Sequence, residues 1–216
     1  MRNKSVIITS IIINSILIVL ELFALSEILF RYLPGSVSFK WTYSLTYYTN
    51  LSNMLLLIGS IYSLTQDIYE LKGIYKFKSA LPKFLGVVST LVTFFTVWIL
   101  VIISKEIKYG IEIQESMWLF MHTICPTLGF ISFIFFNEKK YIKYTDIIYP
   151  AVFTLLYTIL VLILFFLNLR IPYKSNLSKD FNITWYFIVC CGLIEVVVSL
   201  LIGLIIRFIK NLFRNE

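Results

Sequence analysis

The chain contains a single histidine, His122, set in Trp118-Leu119-Phe120-Met121-His122-Thr123-Ile124-Cys125-Pro126, a run otherwise apolar enough to cross a bilayer. An ionisable side chain inside such a run is costly and by default suggests a functional site. The proline sharpens the point. It has no N–H, so the helical bond to the carbonyl four residues back, that of His122, is lost. The sequence therefore predicts a bent helix with a carbonyl free for another partner beside the imidazole. A second dense polar patch, Tyr47-Tyr48-Thr49-Asn50-Leu51-Ser52-Asn53, combines a hydroxyl with amide donors of the kind that stabilise an oxyanion. A threonine hydroxyl is a poor nucleophile until a nearby base takes its proton, and His122 is the obvious base. Thr49 and His122 are thus the candidate catalytic residues. Tyr48, Asn50, Asn53 and Thr123 are the candidates for substrate binding or the oxyanion. The plainer alternative is a helix-packing histidine beside an ordinary proline kink.

Three acids fall within apolar segments: Glu21, Glu27 and Glu195. Glu27 lies near a segment end and within reach of headgroups, whereas Glu21 and Glu195 are deeper and need a proton, a hydrogen bond or a partner. Any of the three is a candidate for orienting the imidazole, and a proton relay or transporter would use the same residues. The cysteines, Cys125, Cys190 and Cys191, show no CxxC or metal-type spacing, so neither a disulfide nor a structural metal is expected. No cofactor is implied: the GxSxG elbow, HExxH, the P-loop and the dinucleotide fingerprint are all missing from the sequence.

These residues must be positioned by membrane helices. Of the 216 residues, 59% are hydrophobic and only 14% charged, a balance that belongs to membrane proteins. The net charge of +7 is spread between apolar runs rather than gathered on one face, which points to membrane orientation and headgroups rather than nucleic acid. Six apolar segments emerge: Ser5–Phe30, Ser44–Thr65, Phe84–Ser104, Ser116–Phe136, Thr145–Asn168 and Trp185–Ile209. The first is long enough to remain as a span rather than act as a cleaved signal. Short polar connections predict one all-α bundle of six transmembrane helices forming a single domain over residues 1–216. The Asp67–Lys83 connection, with Lys72, Lys76, Lys78 and Lys83 among aromatics, is expected to lie along the membrane surface.

Lys and Arg divide twelve to seven in favour of the side bearing both termini, which places the N- and C-termini in the cytoplasm. Helices two and four then enter from the outside. Thr49 and His122 both lie roughly 8–9 Å below that boundary at about 1.5 Å rise per residue. Polar seams recur at helical spacing: Ser10, Asn14 and Glu21; Thr46, Thr49, Asn50 and Asn53; Ser89, Thr93 and Thr96; Trp118, His122, Cys125, Gly129 and Ser132; Thr184, Cys191, Gly192, Glu195 and Ser199. Most such residues simply join helices to one another.

At the two polar patches the chain resembles the androgen-induced-protein family, and especially its small bacterial six-helix relatives. The resemblance is carried by Tyr47 to Asn53, Thr90–Leu100, Met121-His122-Thr123 with Pro126, Tyr149-Pro150 and Tyr157, and extends over essentially the whole chain. It implies a six-helix membrane hydrolase of fatty-acid esters of hydroxy fatty acids, with an intramembrane threonine as nucleophile and a histidine as base. By motif these roles fall on Thr49 and His122. Two departures bear on the substrate. Ile171-Pro172-Tyr173-Lys174 keeps only the proline and an aromatic of the relatives' Tyr-Pro-Phe-Leu-acid element, and the animal members have one more residue between histidine and proline. The expectation is therefore an intramembrane lipid-ester hydrolase in a bacterial cytoplasmic membrane, acting on a lipid or fatty-acyl substrate and on no nucleic acid. A non-enzymatic carrier and a lipid-binding or scaffold protein are the alternatives.

Overall fold

A computed structural model of the chain describes residues 2–30, 46–74, 79–104, 119–137, 142–169 and 184–213. Every regular element among them is helical. They form six rods, which we label α1 (Lys4–Phe30), α2 (Tyr48–Leu71), α3 (Leu81–Ser104), α4 (Phe120–Phe136), α5 (Tyr144–Phe166) and α6 (Trp185–Leu212). Four of them contain stretches long and apolar enough to cross a membrane: Lys4–Ser26, Leu81–Ile99, Tyr144–Phe166 and Trp185–Leu212. α2 carries too many polar groups for that criterion and α4 is shorter, and these are the two helices bearing the sites singled out above.

α3 is the central rod, packing against α2, α4, α5 and α6, while α1 packs on α2 and α4. Glycines set the closest approaches. A Cβ on Gly86 would fall 2.5 Å from the Leu56 Cα, and one on Gly59 would fall 2.7 Å from the Pro82 carbonyl. This pairing runs α2 and α3 antiparallel with their backbones nearly touching. Gly192 against Thr158 and Gly203 against Ile147 do the same for α6 and α5. Small residues at such crossings let helices associate where burial from water supplies little drive. Around them packs one apolar core that includes Leu17, Leu56, Phe84, Val87, Phe133 and Ile206.

α2 and α3 depart from the expected bounds in a way that matters. α2 continues past Thr65 to Leu71, carrying Asp67 and Glu70 as buried residues of the helix. α3 begins at Leu81, so Lys83 is not part of a surface connection: it is a completely buried residue of the first turn. Its stem carries the ammonium past the backbone into the bundle, where polar groups of two other helices meet it. Lys72 does lie in the exposed turn after α2, while Lys76 and Lys78 fall outside the described residues, as do Ser44, Ser116 and Trp118.

Filling the α2–α3 contact should break it. We expect Gly86→Val to lower stability by about 1–3 kcal/mol through overpacking, read as a fall in the thermal midpoint in detergent, while Ile58→Val on the exposed face of α2 leaves it unchanged.

Candidate functional site

α4 is not a regular α-helix. It opens with a π-helical turn, Phe120–Ile124, continues as α-helix over Cys125–Ile131, and closes with a second π turn, Ser132–Phe136. His122 is in the middle of the first. Single π turns inside helices recur at functional sites because the wider turn exposes backbone groups and re-aims side chains. In the π register the Cys125 N–H reaches Phe120 O, five residues back. The proline that follows would, in the same register, have bonded Met121. The carbonyl opposite the proline ring is therefore that of Met121, one residue before the one expected from an α-helical count.

Asn53 fills that position from α2. Its Nδ2 donates to Met121 O at 3.4 Å and to Thr49 O at 2.8 Å, the latter within its own helix. One side-chain amide thus joins the turn carrying Thr49 to the turn carrying His122. It also fits α2 and α4 running parallel, a relation that recurs where Leu56 meets Gly129 and Asn137 meets Ser63. Thr49, Asn50 and Asn53 are all buried, and His122 is half-buried. Two carbonyls accept from Asn53, which fixes the orientation of its amide: nitrogen faces them, and Oδ1 is turned elsewhere. Asn53 therefore presents an acceptor, not the oxyanion donor that its residue type suggested.

The remaining candidates are distributed around this centre. The Tyr48 hydroxyl shares a 2.9 Å hydrogen bond with Thr154 Oγ1 on α5, and its ring stands edge-on to Tyr157 at 5.0 Å. Tyr48 thus anchors the first turn of α2 to α5. Thr123 accepts from Trp98 Nε1 at 3.3 Å, which ties the π turn to α3. Glu21 is wholly buried on α1, hydrogen-bonded with the Cys125 thiol and within electrostatic reach of the Lys83 ammonium. Above it Ala24 packs on Met121, and the Phe23 and Phe120 rings meet edge to face at 6.0 Å. Glu21 therefore faces Cys125, three residues after His122 on α4. Glu195 is half-buried on α6, four residues beyond Cys191. Glu27 belongs to α1, and its side chain lies outside the described residues.

Below this level the interior is layered. Leu17 and Leu56, both fully buried, and Gly129 form an apolar layer. Beneath it Lys83 Nζ donates to Asn14 Oδ1 at 3.0 Å and to Ser60 Oγ at 2.6 Å, and Ser132 Oγ donates to the same Asn14 oxygen at 3.1 Å. Asn14 in turn donates to Ser10 O, and Ser10 Oγ donates to Asp67 Oδ2 at 2.6 Å. At the end of the bundle Arg2 pairs with Asp67 and Glu70 at 2.5 and 2.6 Å. Burial works against the Arg2 charge, but Glu70 and Asp67 more than offset it and hold the guanidinium above its ordinary value. The second π turn is closed by cations: Lys210 Nζ donates to Phe133 O, Ile134 O and Asn137 O, and Arg2 Nη1 donates to Phe136 O.

Sequence reasoning had placed Lys83 on the surface and passed over Ser60, Asp67 and Lys210. A signal was present: Asn14 and Ser60 are polar positions facing inward that need a donor from elsewhere, and Lys83 is the cation whose stem has that reach. Among the described residues no group of three or more His, Cys, Asp and Glu side chains is arranged to hold a metal ion. No family model matches the chain, and no curated protein or solved structure matches it either.

The Lys83 cluster separates two effects of burying a charge. Removing the charge with an apolar residue of similar length is often neutral, whereas stranding it by deleting its acceptor costs roughly 3–5 kcal/mol. We expect Lys83→Met to keep its thermal midpoint within a few degrees of the wild type, a shift on the order of 1 kcal/mol or less, and Asn14→Leu to fall well below it.

Proposed function

We propose that the protein is an intramembrane lipid-ester hydrolase with Thr49 as nucleophile and His122 as its base. The observation that carries this reading is the Asn53 amide, which holds the Thr49 and His122 turns together across α2 and α4 at the one place where α4 is wound as a π turn against a proline. In the reaction, Thr49 Oγ attacks the ester carbonyl as His122 takes its proton. The tetrahedral oxyanion collapses, the alcohol leaves with that proton, and the acyl group stays on Thr49. Water, deprotonated by the same imidazole, then releases the fatty acid and restores the hydroxyl. Asn50, buried beside Thr49, is the side-chain donor for the oxyanion in this scheme. The resemblance to the androgen-induced-protein family supports the same assignment and suggests esters of hydroxy fatty acids as substrates.

In this reading all six helices cross the membrane, in a bacterial cytoplasmic membrane with both termini on the cytoplasmic side, and the Thr49–His122 level lies toward the outer leaflet. Substrate enters from the lipid with its ester at that depth. A carrier would need a polar route along the bundle. The Leu17–Leu56 layer interrupts the side-chain hydrogen bonds between the outer and inner polar levels, which favours a site that is closed below.

A fluorophosphonate with a long alkyl chain should label the wild-type protein in membranes. Thr49→Ala should abolish labelling and His122→Ala should reduce it by a factor on the order of 10²–10⁴, while both keep the wild-type thermal midpoint within a few degrees. Labelling that survives Thr49→Ala would remove the proposed nucleophile.

A further inference from the structure

The packing of α6 on the central rod stops halfway along it. A stripe of α3 at helical spacing begins with Phe84, which lies against Gly203 of α6. Phe84 and Val88 on that stripe are completely buried and Leu91 is 8% exposed, but Phe95 and Ile99, which continue it, are 44% and 52% exposed. The inward stripe of α6 shows the same change. Gly203, Ile202 and Ser199 are buried, whereas Glu195 is only half-buried, although Gly192 and Ile188 beyond it on that stripe are buried. Two helices in contact at one end, with facing stripes uncovered at the other, enclose a cleft that widens toward Ile99 and Trp185.

The cleft adjoins the Thr49–His122 level. Gly192 meets Thr158 and Gly203 meets Ile147, so α5 and α6 run antiparallel in one fixed register. That register sets Glu195 beside Thr154 and Leu155, and Thr154 is the partner of Tyr48, the residue before Thr49. From the α3 wall Trp98 reaches Thr123, the residue after His122. Glu195 lies about 15 Å along α6 from Trp185 at about 1.5 Å per residue. Among the described residues it makes no hydrogen bond and no ion pair, and the fully buried Ser199 Oγ, one turn further in, has no partner either.

We propose that this cleft is a water-filled crevice, open at the end bearing Trp185 and closed at Ser199, which brings water to the Thr49–His122 level. Lipid would cover Phe95 and Ile99 but leave the Glu195 carboxyl and the Ser199 hydroxyl without partners. Orphaned polar groups in an interior call for a partner, and ordered water is the usual one. It also fits the chemistry. A neutral carboxyl and a hydroxyl each donate and accept, a carboxylate accepts only, and water serves all three. Intramembrane acids characteristically face such water-filled spaces. The use of this water rests on the hydrolase reading, in which one water molecule is consumed as the fatty acid leaves Thr49; the hydration itself does not.

The test is the reactivity of introduced thiols toward a charged, water-soluble methanethiosulfonate, which attacks only the thiolate that water allows to form. Glu195→Cys and Phe95→Cys are compared with Ile194→Cys and Val197→Cys, which replace side chains 62% and 54% exposed on the lipid face of α6 near the depth of Glu195. The full-length protein is held in lipid nanodiscs, and modification is read at each site by peptide mass spectrometry, so Cys125, Cys190 and Cys191 remain in place. We expect both crevice positions to react roughly tenfold or more faster than both lipid-face positions. Should Glu195→Cys fail to fold, Phe95→Cys carries the comparison. Crevice positions no faster than the lipid face would overturn the proposal and assign the cleft to lipid. Fast modification without fluorophosphonate labelling of the wild type would keep the crevice and remove the hydrolase. Labelling without fast modification would do the reverse.

Discussion

Backbone carbonyls left over by an irregular helix are the constraint on which the rest of this structure depends. α4 winds as π turn, α-helix and π turn within Phe120–Phe136, and a proline follows the first π turn closely. Each irregularity frees carbonyls in an interior where water is scarce, and such groups must find donors. Those donors come from other helices and arrive at defined places. Asn53 of α2 serves Met121, and Lys210 of α6 with Arg2 ahead of α1 serves the far end. The bundle is tied at both ends of α4 by this accounting, and its helices are held in one register as a consequence.

The same accounting explains why polar side chains appear in layers. A donor that serves a carbonyl on another helix must lie at its depth, so amides, hydroxyls and cations collect at the levels where α4 departs from regular winding or where a charge needs a cage. Between those levels Leu17, Leu56 and Gly129 pack without polar atoms. Lys83 illustrates the second case. A cation in the first turn of a helix is unfavourable with respect to the helix dipole, and here the ammonium extends away from that end to Asn14 of α1 and Ser60 of α2, while Ser132 of α4 donates to the same Asn14 oxygen. The Thr49–His122 level toward one end is thereby set apart from the Lys83 level in the middle.

Much of this is readable from residue type and spacing. Apolar run length found all six rods, and the seam Ser10, Asn14 and Glu21 does face inward, each residue being fully buried. His122 with Pro126 marked α4 as the irregular helix. What escaped was local and geometric. An α-helical count assigned the freed carbonyl to His122, because nothing in Phe120-Met121-His122-Thr123-Ile124 announces a π turn. Lys83 read as part of a basic connection, since the length of a lysine stem lets the charge reside far from its Cα. The acceptor face of Asn53 was likewise invisible, because an asparagine offers a donor and an acceptor on one group and only its neighbours decide which is spent.

That last point reaches the chemistry. An amide whose two hydrogens are taken by two carbonyls has none left for a third acceptor, so Asn53 is fixed as the brace that keeps the Thr49 and His122 turns together. The carbonyls that the π turn and the proline leave over therefore decide where a polar side chain of α2 must stand, and so which two turns are held together.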